Sequence, residues 1–170
     1  MVLKFLVEST YNVPPRTGVN LTAETTLSLA HKYDNIVATK EASGMLPQIM
    51  QIIKNRPDNF SVISGDDVLS LPIVAIGGQG VISVAANAMP HEVSSVIRNS
   101  LNSNFAEANA VNLNLLDFID TLFAEGSPSG VKAALNILGL SQNVLRLPLV
   151  PVSDDTYNKL KSIMQSIKKL

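Results

Sequence analysis

Short apolar runs of strand composition alternate with stretches of helical spacing four times through residue 90, and past that point only helical spacing recurs. A strand returned to a parallel neighbour through a helix builds a parallel sheet covered by helices. This order therefore restricts the fold to parallel α/β with a helical C-terminal region. Strands are predicted at Val2–Val7, Asn35–Lys40, Phe60–Ser64 and Val81–Ala86. Tyr11-Asn12-Val13-Pro14-Pro15 leaves the first of them extended, because each proline disfavours the helical region in the residue before it, and Thr17-Gly18 continues that loop. Thr22, with Glu24 behind it, is placed to cap a helix reaching about Tyr33. Leu46–Lys54 is a second helix, with Pro47 tolerated in its first turn and Ile49, Met50, Ile52 and Ile53 facing inward. Asp66 or Asp67 can cap a third, which Pro72 shortens. Further helices are expected near His91–Leu101, Phe105–Ala124, Gly130–Leu138 and Thr156–Lys169, so the chain divides into βα units over residues 1–90 and helices over 91–170.

At 170 residues the chain is long enough for one sizeable core, and 46% hydrophobic against 16% charged residues is a globular balance rather than a disordered one. A net charge of −1 gives no electrostatic hold on nucleic acid or on a membrane surface. The lack of cysteine removes thiol catalysis, thiolate metal sites and disulfides, and fits a cytoplasmic location. Met1–Val7, short and followed at once by Glu8, does not read as a signal peptide. Leu71–Pro90 runs for twenty residues without a charge, but Gly77, Gly78 and Gly80 split it. Helix, glycine turn and buried strand describe it better than a membrane span.

The stretch richest in chemistry is Asn35–Ser43, NIVATKEAS. Ile36, Val37 and Ala38 form the near-continuous apolar run of a central parallel strand, and Lys40 leaves that strand at its last buried turn. Desolvation there favours the uncharged amine, which attacks carbonyls; a lysine snorkelling from the strand end into water is the plainer reading of the same residues. Its company decides between them. In parallel α/β folds the loops after the strand C-termini form the active face, and here those ends carry Tyr11, Lys40, Ser64-Gly65-Asp66 and Ser83 to Asn87. A lysine to form a Schiff base and a phenol to move protons during addition and dehydration are what an imine-forming enzyme needs. Other candidates reduce to structure. Asp66-Asp67 reads as a helix-capping pair before a metal pair, and Gly77-Gly78-Gln79-Gly80 precedes a strand instead of opening a helix, which makes it an αβ turn and not a phosphate cradle. His31 and His91 have no metal-ligand company, and Ser64 has no histidine partner for hydrolysis.

Four motifs in order carry a family resemblance: Tyr11-Asn12-Val13-Pro14 with Arg16-Thr17-Gly18, then Lys40-Glu41-Ala42-Ser43-Gly44, then Ser64-Gly65-Asp66-Asp67, then Gly80-Val81-Ile82-Ser83. From about Tyr11 to the end, through Leu145-Arg146-Leu147-Pro148 and the C-terminal helix, the chain resembles the dihydrodipicolinate synthase (4-hydroxy-tetrahydrodipicolinate synthase) family. That family belongs to the pyruvate-dependent class I aldolases, which also include N-acetylneuraminate lyase. The resemblance implies a TIM (β/α)8 barrel of which this chain is the C-terminal half, strands five to eight, with an appended C-terminal helical region. It implies a lyase that joins pyruvate to aspartate semialdehyde in lysine (diaminopimelate) biosynthesis. In it Lys40 forms the imine with pyruvate, Tyr11 relays protons, Arg16 binds the carboxylate of the incoming aldehyde, and Gly65 and Ile82 line the pyruvate pocket. The fixed fork of a guanidinium suits carboxylate capture on its own physical grounds. No metal or organic cofactor is implied, since the imine is itself the electron sink.

Two other readings stay open beside it. One is another pyruvate-dependent aldolase, of the N-acetylneuraminate lyase kind, whose loop usually lacks an arginine at the place of Arg16. The other is a catalytically inactive half-barrel fragment. The implied partners are the two small-molecule substrates, together with either further copies of the chain or a missing N-terminal half. That half would hold the threonine pair for the pyruvate carboxylate and a second tyrosine contributed by a neighbouring subunit. Neither nucleic acid nor a membrane is implied. Three departures stand out: Met1–Thr10 does not match the family's usual approach to its strand, Thr39 stands where relatives usually carry an aliphatic residue, and Ser127 where asparagine is common.

Overall fold

The computed structural model describes residues 6–167, which fall into two compact units. One runs through Ser83 and takes in Ser100–Ser103; the other comprises Val84–Asn99 and the chain from Asn104.

The first unit is a parallel sheet in the order β1 (Glu8–Asn12), β2 (Ile36–Glu41), β3 (Ser61–Ser64), connected through α1 (Pro14–Thr17), α2 (Ala23–Lys32) and α3 (Leu46–Asn55), with α4 (Ser70–Ala75) after β3. Tyr11 is in register with Lys40 and Lys40 with Ile63, while Asn12 is in register with Glu41 and Glu41 with Ser64. Because successive strand residues point to opposite faces, this register sorts the side chains. Thr39, Glu41, Val62 and Ser64 are buried, and Val62 packs with Ala30, Ile49, Ile52, Phe60 and Ile73 in the core shared with α2, α3 and α4. On the opposite face Ala38 is buried, but Tyr11, Lys40, Ser61 and Ile63 keep solvent contact.

Local sequence accounts for most of these elements. Thr22 Oγ1 accepts a hydrogen bond from Thr25 N at 3.2 Å, capping α2 as its sequence predicts. In α3 the inward stripe is Ile49, Ile52 and Ile53 at i, i+3 and i+4; Met50, expected to face inward, is one position round the helix and 53% exposed.

Four expectations are corrected. Of the strand placed at Val2–Val7, Val2–Phe5 lies outside the described residues, and Leu6 and Val7 precede the pairing. The paired segment is Glu8–Asn12, which recruits Tyr11 and Asn12 from the expected loop. Its composition is polar, and its state is set by β2 beside it. After Val13, the stretch expected to run on extended as a loop instead forms one helical turn, Pro14–Thr17: Pro14 and Pro15 occupy first-turn positions whose N–H groups have no intrahelical partner anyway, and Gly18, at φ 71°, closes the turn with its N–H on Pro14 O at 2.9 Å. Val81–Ala86 is not a strand. Val81 makes an isolated parallel bridge with Ser64, and the chain then enters a 3-10 turn at Ala85–Asn87. Pairing stops there because β3 ends at Ser64, whose N–H donates to Gly80 O and whose O accepts Ile82 N, both at 2.9 Å; upstream, Gln79 serves Val62 twice, its N–H donating to Val62 O at 2.9 Å and its side-chain Oε1 accepting Val62 N at 2.8 Å. Nor does either aspartate cap α4. Asp66 Oδ1 accepts from Val68 N and Leu69 N, closing the turn that precedes the helix.

The second unit holds α5 (Pro90–Leu101) as far as Asn99, α6 (Phe105–Phe123), α7 (Ser129–Ile137) and α8 (Asp154–Ile167). α6, α7 and α8 pack mutually, burying Leu115, Phe118, Leu122, Ala133, Leu160 and Met164. The start of α8 is tied to the end of α6: Ser153 donates to Glu125 through its hydroxyl at 2.5 Å and through its backbone N–H at 2.9 Å. Among the described residues no helix is long and apolar enough to cross a membrane.

Candidate active site

β2 delivers Lys40 to the C-terminal end of the sheet on its solvent-touched face, and β1 delivers Tyr11 to the register position beside it. The Lys40 Nζ sits over the Tyr11 ring, 4.0 Å from its centroid. A cation over a phenol face at this range gains about 0.5–1 kcal/mol where water still reaches it, as it does at a ring 51% exposed. The third element is a missing side chain. A Cβ placed on Gly65 would lie 2.8 Å from Lys40 Cε, 3.0 Å from Lys40 Cγ and 2.9 Å from Ala42 Cβ. The lysine stem thus runs over the backbone of Gly65, whose N–H donates to Glu41 O at 2.6 Å.

Tyr11, Lys40 and Gly65 are therefore brought together by direct contact. The other two predicted site residues are placed on loops at the same end of the sheet. Arg16 lies in the exposed turn that follows Tyr11, in α1. Ile82, also exposed, follows the Val81 bridge, and its N–H donates to Ser64 O at 2.9 Å. Of the neighbouring carboxylates, Asp67 is buried and accepts a hydrogen bond from Ser83 Oγ on that last loop.

Beneath the site, on the helix-covered face, lies a polar cluster to which the sequence reading assigned no role. Glu41 is fully buried. Its Oε1 accepts from Asn12 Nδ2 at 2.8 Å and Gln48 Nε2 at 3.3 Å, and its Oε2 accepts from Ser43 Oγ at 2.6 Å. Asn12 also donates to Asn20 Oδ1 at 2.9 Å and accepts from Leu21 N at 2.9 Å, while Asn20 Nδ2 donates to Gln48 Oε1 at 2.9 Å. The available signal was period-two alternation: if Lys40 faces the site, Glu41 must face the helices, where an unshielded carboxylate is costly.

Comparison with known proteins gives a consistent result. Residues 6–167 match the model of the Dihydrodipicolinate synthetase family. A 4-hydroxy-tetrahydrodipicolinate synthase from Phocaeicola vulgatus is 51% identical over 158 residues, which make up 93% of this chain and 53% of the relative. The crystal structure of dihydrodipicolinate synthase from Aquifex aeolicus matches with a TM-score of 0.91 at 41% identity, covering 94% of this chain and 55% of that one. The corresponding structure from Thermotoga maritima matches with a TM-score of 0.92 at 36% identity, covering 95% and 56%. The chain thus spans about half the length of the relatives it matches.

Proposed function

The chain belongs to the dihydrodipicolinate synthetase family, and on that premise we propose that Lys40 is the Schiff-base lysine of a pyruvate-dependent lyase acting on aspartate semialdehyde. The chain then corresponds to the C-terminal half of a TIM barrel, β1 to β3 and the Val81 bridge standing where its last four strands run, with α5 to α8 supplying the final barrel helix and the appended region. The observation that carries the reading is the seating of Lys40: its stem crosses a glycine and its amine lies on a phenol face.

The chemistry follows from that geometry. The Lys40 amine adds to the keto carbon of pyruvate, and loss of water leaves a protonated imine at the same nitrogen. The amine attacks uncharged, a proton delivered to the carbinolamine hydroxyl lets it leave as water, and the positive charge then on the imine lies against the face of Tyr11. Removal of a proton from the adjacent methyl carbon gives an enamine, whose carbon attacks the aldehyde and forms the new carbon–carbon bond. Tyr11 supplies the hydroxyl that shuttles protons through addition and dehydration. Arg16, on the loop beside it, is the guanidinium for the second substrate's carboxylate. Gly65 and Ile82 border the pyruvate side.

Borohydride reduction in the presence of pyruvate, followed by mass spectrometry of the peptides, tests this directly. A stable pyruvate-derived adduct on Lys40, and not on the other lysines, is the expected result. Labelling spread evenly over surface lysines, or none at Lys40, would overturn the assignment.

A further inference from the structure

We propose that Glu41 is a positioning residue that locks Tyr11 and the Arg16 turn in place from the opposite face of the sheet; the inference rests on Lys40 being the imine lysine. Glu41 follows Lys40 directly, and their side chains leave β2 in opposite directions, so Glu41 acts through its partners and never on the substrate. Among the described residues those partners are all uncharged: Asn12, Gln48 and Ser43. A buried carboxylate without a cation persists only where donors converge on it. If packing alone were needed here, an aliphatic side chain would serve, as Val62 does on the same face of β3.

What distinguishes the donors is the segments they come from. Asn12 adjoins Tyr11, and Ser43 belongs to the loop that leaves Lys40. The turn bearing Arg16 returns at Asn20 and Leu21, and both are gripped: Asn12 Oδ1 accepts Leu21 N at 2.9 Å, and Gln48 Nε2 donates to Leu21 O at 3.2 Å. The hydrogen bonds that Asn20 and Leu21 make with Asn12 and Gln48 thus lead to Glu41, since both of these donate to one carboxylate oxygen. Glu41→Gln changes shape least and chemistry most. Whichever of its two atoms becomes the amide nitrogen meets existing donors, Asn12 and Gln48 on one side or Ser43 on the other.

The experiment compares the 170-residue chain with Glu41→Gln, Glu41→Asp and Asn20→Ala, the last removing only a half-buried outer member of the cluster. Hydrogen exchange is followed over Val13–Leu21, with Ser61–Ala75 as the internal control, and pyruvate trapping at Lys40 is measured against pyruvate concentration. The lock predicts exchange over Val13–Leu21 about tenfold faster in Glu41→Gln with the control segment unchanged. It also predicts trapping at saturating pyruvate slower by about tenfold while half-saturation moves by less than about twofold, since positioning is lost but binding is not. Asn20→Ala should shift both readouts the same way by less, and Glu41→Asp, which keeps the charge, should fall between wild type and Glu41→Gln. Unchanged exchange over Val13–Leu21, equal loss of protection in the control segment, or wild-type trapping in Glu41→Gln would each overturn it. If the wild-type chain does not trap pyruvate at Lys40 at all, the lyase reading fails, and the exchange pattern alone decides whether Glu41 holds the turn.

Discussion

A methyl group at position 65 would have to share space with Lys40 Cε, 2.8 Å away, and with Ala42 Cβ, 2.9 Å away. Only the first of these neighbours can swing aside, because the lysine stem is flexible and the alanine is fixed to the backbone at the end of β2. Gly65→Ala should therefore displace Lys40 from the Tyr11 face while leaving the core shared by Val62, Ile49 and Phe60 intact. Displacements of this size cost reacting groups up to about a hundredfold in rate. Trapping of Lys40 by pyruvate and borohydride is expected to slow by between about tenfold and that limit, with the thermal midpoint of unfolding near its wild-type value. Unaltered trapping would mean that the glycine is a turn residue and nothing more. The lysine and the phenol were legible as a pair from their residue types and their places at strand ends. The role of Glu41 was not, because a carboxylate beside a lysine in sequence looks like its ion-pair partner, and only the pleat shows that the two face away from each other.

At the scale of elements, helices were legible where an apolar stripe and a cap agreed, as in α2 and α3, and strands were legible only where composition and neighbour agreed. Glu8–Asn12 is strand despite its polarity because β2 offers it a ladder, while Val81–Ala86 has strand composition but only the single Val81 bridge, β3 having ended at Ser64. The junction of α6 and α8 supports a prediction about pH. Hydrogen bonds from the Ser153 hydroxyl first, then from Thr156 and the Ser153 backbone, hold the Glu125 carboxyl below its ordinary value of 4.5. A carboxyl whose acidity is raised by folding stabilises the folded state above its unfolded value, and that contribution disappears as pH falls through the folded one. Glu125→Gln should therefore melt below wild type near neutral pH, and the gap should narrow as pH drops below 4.5 and close once Glu125 is protonated in the folded chain. The effect is small, because the group is solvent-exposed and screened by salt. Thermal melts of the two chains across that range check it; a gap of constant size would show that the ionised carboxylate does not anchor α8.

At the scale of the molecule, the open face of the first unit and the edge of β1 pose the same physical problem. Among the described residues β1 pairs with β2 on one side and with no strand on the other, so its outward N–H and C=O groups lack a ladder. On the same sheet Tyr11, Lys40, Ser61 and Ile63 point to a face that keeps solvent contact, whereas in a closed barrel such positions fill the interior. The parallel α/β order was legible because alternation is a property of the chain itself. An open edge was legible too, since half of a barrel leaves its outermost strand without a neighbour; which side chains it uncovers was not, because that depends on the register of β1 against β2. Supplying the remaining half of a relative's barrel in trans should then act on both defects together. It should pair the free edge of β1, shown by slowed hydrogen exchange at Ser9 and Tyr11, and cover the open face, shown by faster pyruvate trapping at Lys40. Sedimentation should report a complex of the two pieces in place of self-association of either. Edge protection without faster trapping would mean that pairing restores the sheet but not the site, and that Lys40 is seated by the residues already around it.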